Sequence, residues 1–98
     1  MPKLSPLHPG EILREEFLSP LGLSAGRLAK ALGVPRTRIE RLVTEQVDLS
    51  ADTALRLARY FGTDAEFWMA LKSRHERERA EDALDKQLRR IAPRKTEA

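Results

Sequence analysis

The sequence predicts an all-α fold of five helices that ends in an extended, charged C-terminal helix. Two observations carry that expectation. No stretch alternates apolar and polar residues over the length of a strand, and β-branched residues are scarce. Apolar residues instead recur three and four apart, in segments punctuated by Ser, Pro and Gly at helix-end positions.

The first helix is expected from Pro9, a residue suited to the first helical position, with His8 beside it and Glu11 near the positive end of the dipole. Ile12, Leu13, Phe17 and Leu18 form its apolar face, and Pro20 with Gly22 should stop it. Ser24 caps a second helix over 25–32, whose Leu28, Ala29 and Leu32 share a face, and Gly33 follows as a residue able to take positive φ. Pro35 opens the third helix, 35–44, with Ile39, Leu42 and Val43 inward. Residues 45–49 read as a loop, and Ser50 caps the fourth helix, 51–61, with Ala51, Ala54, Leu55, Ala58 and Phe61 inward and Gly62 after it. Thr63-Asp64-Ala65-Glu66 reads as a capping box in which Glu66 reaches back to the Thr63 amide. The fifth helix then opens with Phe67, Trp68 and Leu71.

After Leu71 the composition changes: 72–83 hold no large apolar side chain, and Leu84, Leu88 and Ile91 then form a short stripe. The chain therefore divides into a helix-bearing domain, 1–71, and a charged extension, 72–98, helical to about residue 90 with a loose tail from Pro93 through Arg94, Lys95, Thr96, Glu97 and Ala98. At 98 residues one modest core is the expectation. The charge follows the same division: residues 1–71 carry nine groups of each sign, so the net +3 sits in the extension. Within the neutral part, Arg27, Lys30, Arg36, Arg38 and Arg41 face only Glu40 and Glu45, a basic segment suited to a polyanion but also common on solvated helix faces.

The spacing from Ala25 to Leu42 fits a helix-turn-helix. Ala29 is small where two backbones must approach, Gly33 four residues on supplies the tight turn, and Leu28, Leu32, Val34, Ile39 and Leu42 fill the inner angle. A plain helical hairpin could share Gly33 and some of the leucines, but has less reason to place Ala29 and Val34. The third helix would then enter the major groove of DNA. Arg36, Glu40 and Arg41 are the candidates for base edges, since arginine forks match guanine and glutamate accepts from cytosine. Ser24, Arg27, Thr37 and Arg38 are better placed for phosphates, and Thr44 completes the outward face. Each could equally be a solvated residue or half of an i,i+4 pair such as Arg36 with Glu40.

Two blocks resemble a known family. His8-Pro9-Gly10-Glu11-Ile12-Leu13-Arg14-Glu15-Glu16-Phe17-Leu18 followed by Pro20-Leu21-Gly22-Leu23-Ser24, and Ser50 through Thr63 with Glu66-Phe67-Trp68, are similar to the HigA-family (VapI-like) antitoxins over roughly residues 7–72. The resemblance implies a five-helix Xre-type, lambda-repressor-like domain, usually a homodimer. It implies neutralisation of a HigB-type toxin, a small RelE-like mRNA endoribonuclease, and repression of its own operon through a palindromic operator. Thr44-Glu45-Gln46-Val47-Asp48 departs from the Asn-Gly-Lys-Arg-like segment common after the third helix, and Glu40 stands where Asn is frequent. A stand-alone Xre-type repressor and an interaction-only antitoxin without specific DNA binding are the alternatives.

Glu11, Glu15 and Glu16 offer an acidic surface to a basic toxin, although acids near a helix start also offset the dipole. Phe67, Trp68, Leu84, Leu88 and Ile91 are the dimer-interface candidates, with core packing the competing reading for the two aromatics. No catalytic motif and no cofactor motif is present, and no enzyme is expected. His8 and His75, without any cysteine, are too few to suggest a metal site. The N-terminal Met1-Pro2-Lys3-Leu4-Ser5-Pro6 lacks the apolar stretch of a secretory signal, and no apolar run approaches the length of a membrane span, so a cytoplasmic protein is expected.

Overall fold

The computed structural model describes residues 7–95; the expectations for Met1–Pro6 and for Thr96, Glu97 and Ala98 lie outside them. Five helical runs and no strand occur among the described residues. The first, α1, covers residues 9–21 in three continuous segments: Pro9–Ile12, a π-helical Leu13–Leu18, and Ser19–Leu21. His8 is itself its N-cap, with Nδ1 accepting from the Gly10 amide at 2.9 Å.

Pro20 does not stop α1; Gly22, at φ 60°, does. The π segment explains the difference. The Ser19 amide bonds the Arg14 carbonyl five residues back, and this wider turn relieves the clash a proline ring makes with the carbonyl four residues earlier. The Leu23 amide then closes the end on the Leu18 carbonyl at 3.0 Å.

Helix α2, Ala25–Leu32, starts on Ser24, whose Oγ accepts from the Arg27 amide at 3.1 Å. It ends on Gly33 at φ 72°, where Cβ strain would oppose other residues. The Val34 amide bonds back to Ala29 O at 3.0 Å and turns the chain into α3, Arg36–Val43, with Pro35 just before it. Beyond α3, Glu45 holds φ 63°, the one positive φ outside glycine among the described residues. That conformation costs roughly 1–2 kcal/mol for a side-chain-bearing residue. Arg14 of α1 offsets it: one guanidinium nitrogen donates to the Val43 carbonyl and lies 3.4 Å from the Glu45 carboxylate.

Helix α4, Ala51–Phe61, is capped by the Ser50 hydroxyl, which accepts from the Thr53 amide at 3.1 Å. Its buried face differs from the expected one. Leu55 is 61% exposed and Ala51 is exposed, whereas Leu57 is fully buried beside Ala54 and Ala58. The helix packs against both α2 and the last helix, so its buried arc is centred between Ala54 and Leu57. Helix α5, Ala65–Arg89, follows. The expected capping box does not form: Asp64 is the N-cap without a side-chain bond, and the Thr63 hydroxyl accepts instead from the Trp68 indole N–H at 2.8 Å.

Of the two readings of Trp68, core packing and a dimer contact, its burial fits the first. The residue is wholly buried in its own chain, against Phe17, Phe61 and Phe67, and has no surface to offer a dimer partner. The core around it comprises Leu13, Leu18, Leu28, Leu32, Ile39, Leu42, Leu49 and Leu57 with the small Ala29, Ala54 and Ala58. The distal half of α5 leaves this core and gives the molecule its longest dimension, 54 Å against 31 and 22 Å. It is held by a ladder of i,i+4 pairs: Lys72–Glu76, Arg74–Glu78, Arg77–Glu81 and Asp85–Arg89. Such pairs contribute roughly 0.3–0.5 kcal/mol each.

Candidate nucleic-acid interface

The orientation of α3 follows from its buried residues. Ile39 and Leu42 are buried in the angle with α2, Val43 beside them is half-buried against the core, and each residue advances about 100° around the helix. Thr37, Arg41 and Thr44 therefore lie furthest from the core, Arg36 and Glu40 on one flank, and Arg38 on the other.

The candidate side chains differ in what they are already bound to. Arg36 Nε meets Glu40 at 3.1 Å, so those two neutralise one another along the helix. The Arg36 side chain passes beside Gly26 of α2, where a Cβ would lie in ordinary contact 3.5 Å from Arg36 Nε. Arg38 donates to Asp52 at 2.9 Å. The Thr44 hydroxyl donates to the Glu40 carbonyl at 2.7 Å and accepts from Gln46 Nε2 at 3.0 Å, which ties it to the helix end. Ser24 spends one lone pair on its cap and keeps its O–H. Arg27, Thr37 and Arg41 are exposed, and Arg41 has no side-chain bond or ion pair among the described residues.

Of the other candidates, Glu15 and Glu16 are exposed and Glu11 is half-buried; Glu15 pairs with Arg14 at 3.0 Å. Phe67, Leu84, Leu88 and Ile91 are exposed. Sequence reasoning missed the exposed Leu55 and Tyr60, and the pair Asp52–Arg56 at 2.7 Å, whose i,i+4 spacing was a usable signal.

It also missed a cluster at the opposite end of α3. His8, Asp48 and His75 come together from the start of α1, the loop after α3 and the middle of α5. The two imidazoles are 93% and 94% buried and meet edge to face at 4.7 Å. The Asp48 carboxylate lies 4.0 Å from His8 Nε2, 3.9 Å from His75 Nδ1 and 3.6 Å from Arg79. Their ligand atoms lie within 4.8 Å of one another, as a metal site would need. The tautomer argues against that use. His8 Nδ1 accepts from Gly10, so in the neutral ring the proton sits on Nε2, the nitrogen facing Asp48, which then has no lone pair for a metal.

Burial pushes the His75 imidazole below its ordinary value of about 6.5, helped by the charges of His8 and Arg79 and opposed by Asp48 and Glu76. A depressed histidine favours the neutral form in the fold, so the unfolded chain binds more protons between the folded value and about 6.5. Stability should be full above that range and fall as pH drops through it. Urea midpoints at pH 8 and pH 5 should show the loss, and His75→Gln should flatten the difference; an equal difference in the variant would remove His75 as its source.

The chain is similar to known proteins. The helix-turn-helix family model HTH_3 matches residues 13–68. Virulence-associated protein I of Dichelobacter nodosus is 53% identical over 94% of the chain and 84% of its own length. Antitoxin HigA-1 of Vibrio cholerae is 39% identical over 71% of the chain and 66% of its own. The structure of the Pseudomonas aeruginosa antitoxin HigA with the higBA promoter superposes with a TM-score of 0.86 at 47% identity, covering 90% of this chain and 97% of that one. No helix among the described residues is long and apolar enough to cross a membrane.

Proposed function

The chain belongs to the HigA family of helix-turn-helix antitoxins, and on that premise we propose that it represses its own operon as a dimer and neutralises a HigB-type toxin. The observation that carries the DNA half is Arg41: an unpaired arginine on the outward line of the second helix of a helix-turn-helix. A guanidinium fork there is free to meet guanine O6 and N7. Thr37 shares that line, while Ser24 and Arg27 at the α2 N-terminus suit phosphates. Glu40 is taken up by Arg36, so the pair would enter the groove as a unit whose charges must be rearranged to read bases.

For the toxin, the exposed Glu15 and Glu16, with Glu11 beside them, form the acidic surface we assign to a basic partner. For the dimer we assign Phe67 with Leu84, Leu88 and Ile91, apolar groups that one chain leaves uncovered. A DNA-binding antitoxin works where its operon is transcribed, so we place it in the cytoplasm, and we assign it no catalytic role.

The test is fluorescence anisotropy with the DNA upstream of its own gene, against random DNA over a salt series. Two half-sites about 34–36 Å apart are expected. Arg41→Ala should weaken operator binding by about 1–3 kcal/mol and relax sequence preference. An equal loss on operator and random DNA would leave Arg41 a phosphate contact. Operator affinity no greater than random affinity in the unmodified protein would favour the interaction-only antitoxin, whose mark in this chain is the acid pair Glu40 and Glu45 around the end of α3.

A further inference from the structure

We propose that Asp52 is a positioning residue for DNA recognition: it holds Arg38 off the phosphate backbone until a correctly seated duplex competes for it, and so suppresses sequence-blind binding. The inference rests on the DNA-binding reading above and deepens it.

One carboxylate oxygen of Asp52 accepts from two arginines, Arg56 Nε at 2.7 Å and Arg38 Nη1 at 2.9 Å. The two are not held equally. Arg56 also donates to the Leu32 carbonyl, the last of α2, at 2.8 Å, so it is tied at two points. Arg38 has no other side-chain bond among the described residues. The carboxylate is thus anchored on the Arg56 side and its other partner can leave. Asp52 also sits in the first turn of α4, where the positive end of the helix favours a carboxylate. The Arg56 hydrogen bond, with the charges of Arg56 and Arg38, holds its carboxyl below the usual range against a cost of desolvation, so the group is ionised wherever the protein works.

Arg38 stands on the flank of α3 facing α4, one residue from the outward Thr37. Exposed ion pairs are weak, so a phosphate brought close can displace Asp52. Sequence-blind binding consists almost wholly of phosphate neutralisation, and a cation already paired adds little to it. When the recognition helix is seated in its operator, the remaining contacts present a phosphate and the exchange occurs. The clamp therefore lowers the background on random DNA more than it lowers operator binding.

The experiment measures D52N, R38Q and the double variant on operator and random duplexes across a salt series, with thermal midpoints alongside. In D52N, random-DNA affinity should rise by up to about eightfold at 0.1 M salt and the log–log salt slope should steepen by about 0.9, one added phosphate contact. The specificity ratio should fall, and the gain should vanish when R38Q is added. R38Q alone should leave the random-DNA slope unchanged and lessen the operator slope by about 0.9. A role limited to fold stability would lower the midpoint of D52N and weaken both duplexes in parallel with no change of slope; that result, or a slope that steepens equally in the double variant, overturns the proposal. Failure of the unmodified protein to prefer its operator would sink the repressor reading by itself, and the random-DNA slopes would still decide the role of Asp52.

Discussion

Trp68→Ala should destabilise the fold by about 3–5 kcal/mol, the usual range for emptying a large aromatic site. The indole is fully buried among Phe17, Phe61 and Phe67, so three helices lose their shared contact at once. Its N–H also bonds the Thr63 hydroxyl at 2.8 Å, and removing it leaves that hydroxyl without its donor at the turn between α4 and α5. A chain of this length has roughly 5–15 kcal/mol of total stability, so most of it would go. Urea denaturation followed by far-UV circular dichroism measures the change. A loss below about 1 kcal/mol would mean that the surrounding rings close over the cavity and that the aromatic cluster is not the keystone of the core.

Gly10→Ala should cost about 3 kcal/mol, the upper end of overpacking, and should impair DNA binding beyond what lost stability explains. A Cβ on Gly10 would stand 1.8 Å from the Leu42 carbonyl oxygen, and a backbone atom cannot swing away as a side chain can. The first turn of α1 must then separate from the last turn of α3. That movement also draws on the Arg14 bond to the Val43 carbonyl, which fixes the same junction. Denaturation and operator anisotropy at a temperature where the variant is folded distinguish the two effects. Unchanged stability would show that α1 can slide along α3 at little cost.

The parts of this fold that were legible are those written in neighbouring residues. Ser24 and Ser50 cap the helices they precede, and Gly33 and Gly62 take the left-handed conformation that ends α2 and α4. The helix-turn-helix was legible for the same reason, since its small and apolar positions lie within eighteen residues of one another. What escaped depended on competition between partners far apart. Thr63 and Glu66 have the spacing of a capping box, but the indole of Trp68 claims the threonine hydroxyl. Leu55 and Leu57 are equally apolar, and only the packing of α4 between two neighbours selects Leu57 for burial. Pro20 reads as a stop, and the π turn before it removes the reason to stop. His8 and His75 carry no local sign that they meet. In the candidate interface, outward placement of Arg41 could be read from periodicity, whereas the pairing of Arg38 with Asp52 joins two helices across a loop.

The i,i+4 ladder along the distal half of α5 divides the chain by how much a change of residue matters. Between Ala25 and Trp68 a substitution at a buried position disturbs neighbours on two or three helices. Beyond Arg79, which still pairs with Asp48, the ion pairs named above join residues one turn apart, and the loss of one leaves the next intact. The extension can therefore change length, charge order or apolar spacing without refolding the domain that carries it. On the dimer assignment proposed above, partner choice through that helix is free to drift while the packed helix-turn-helix stays constrained.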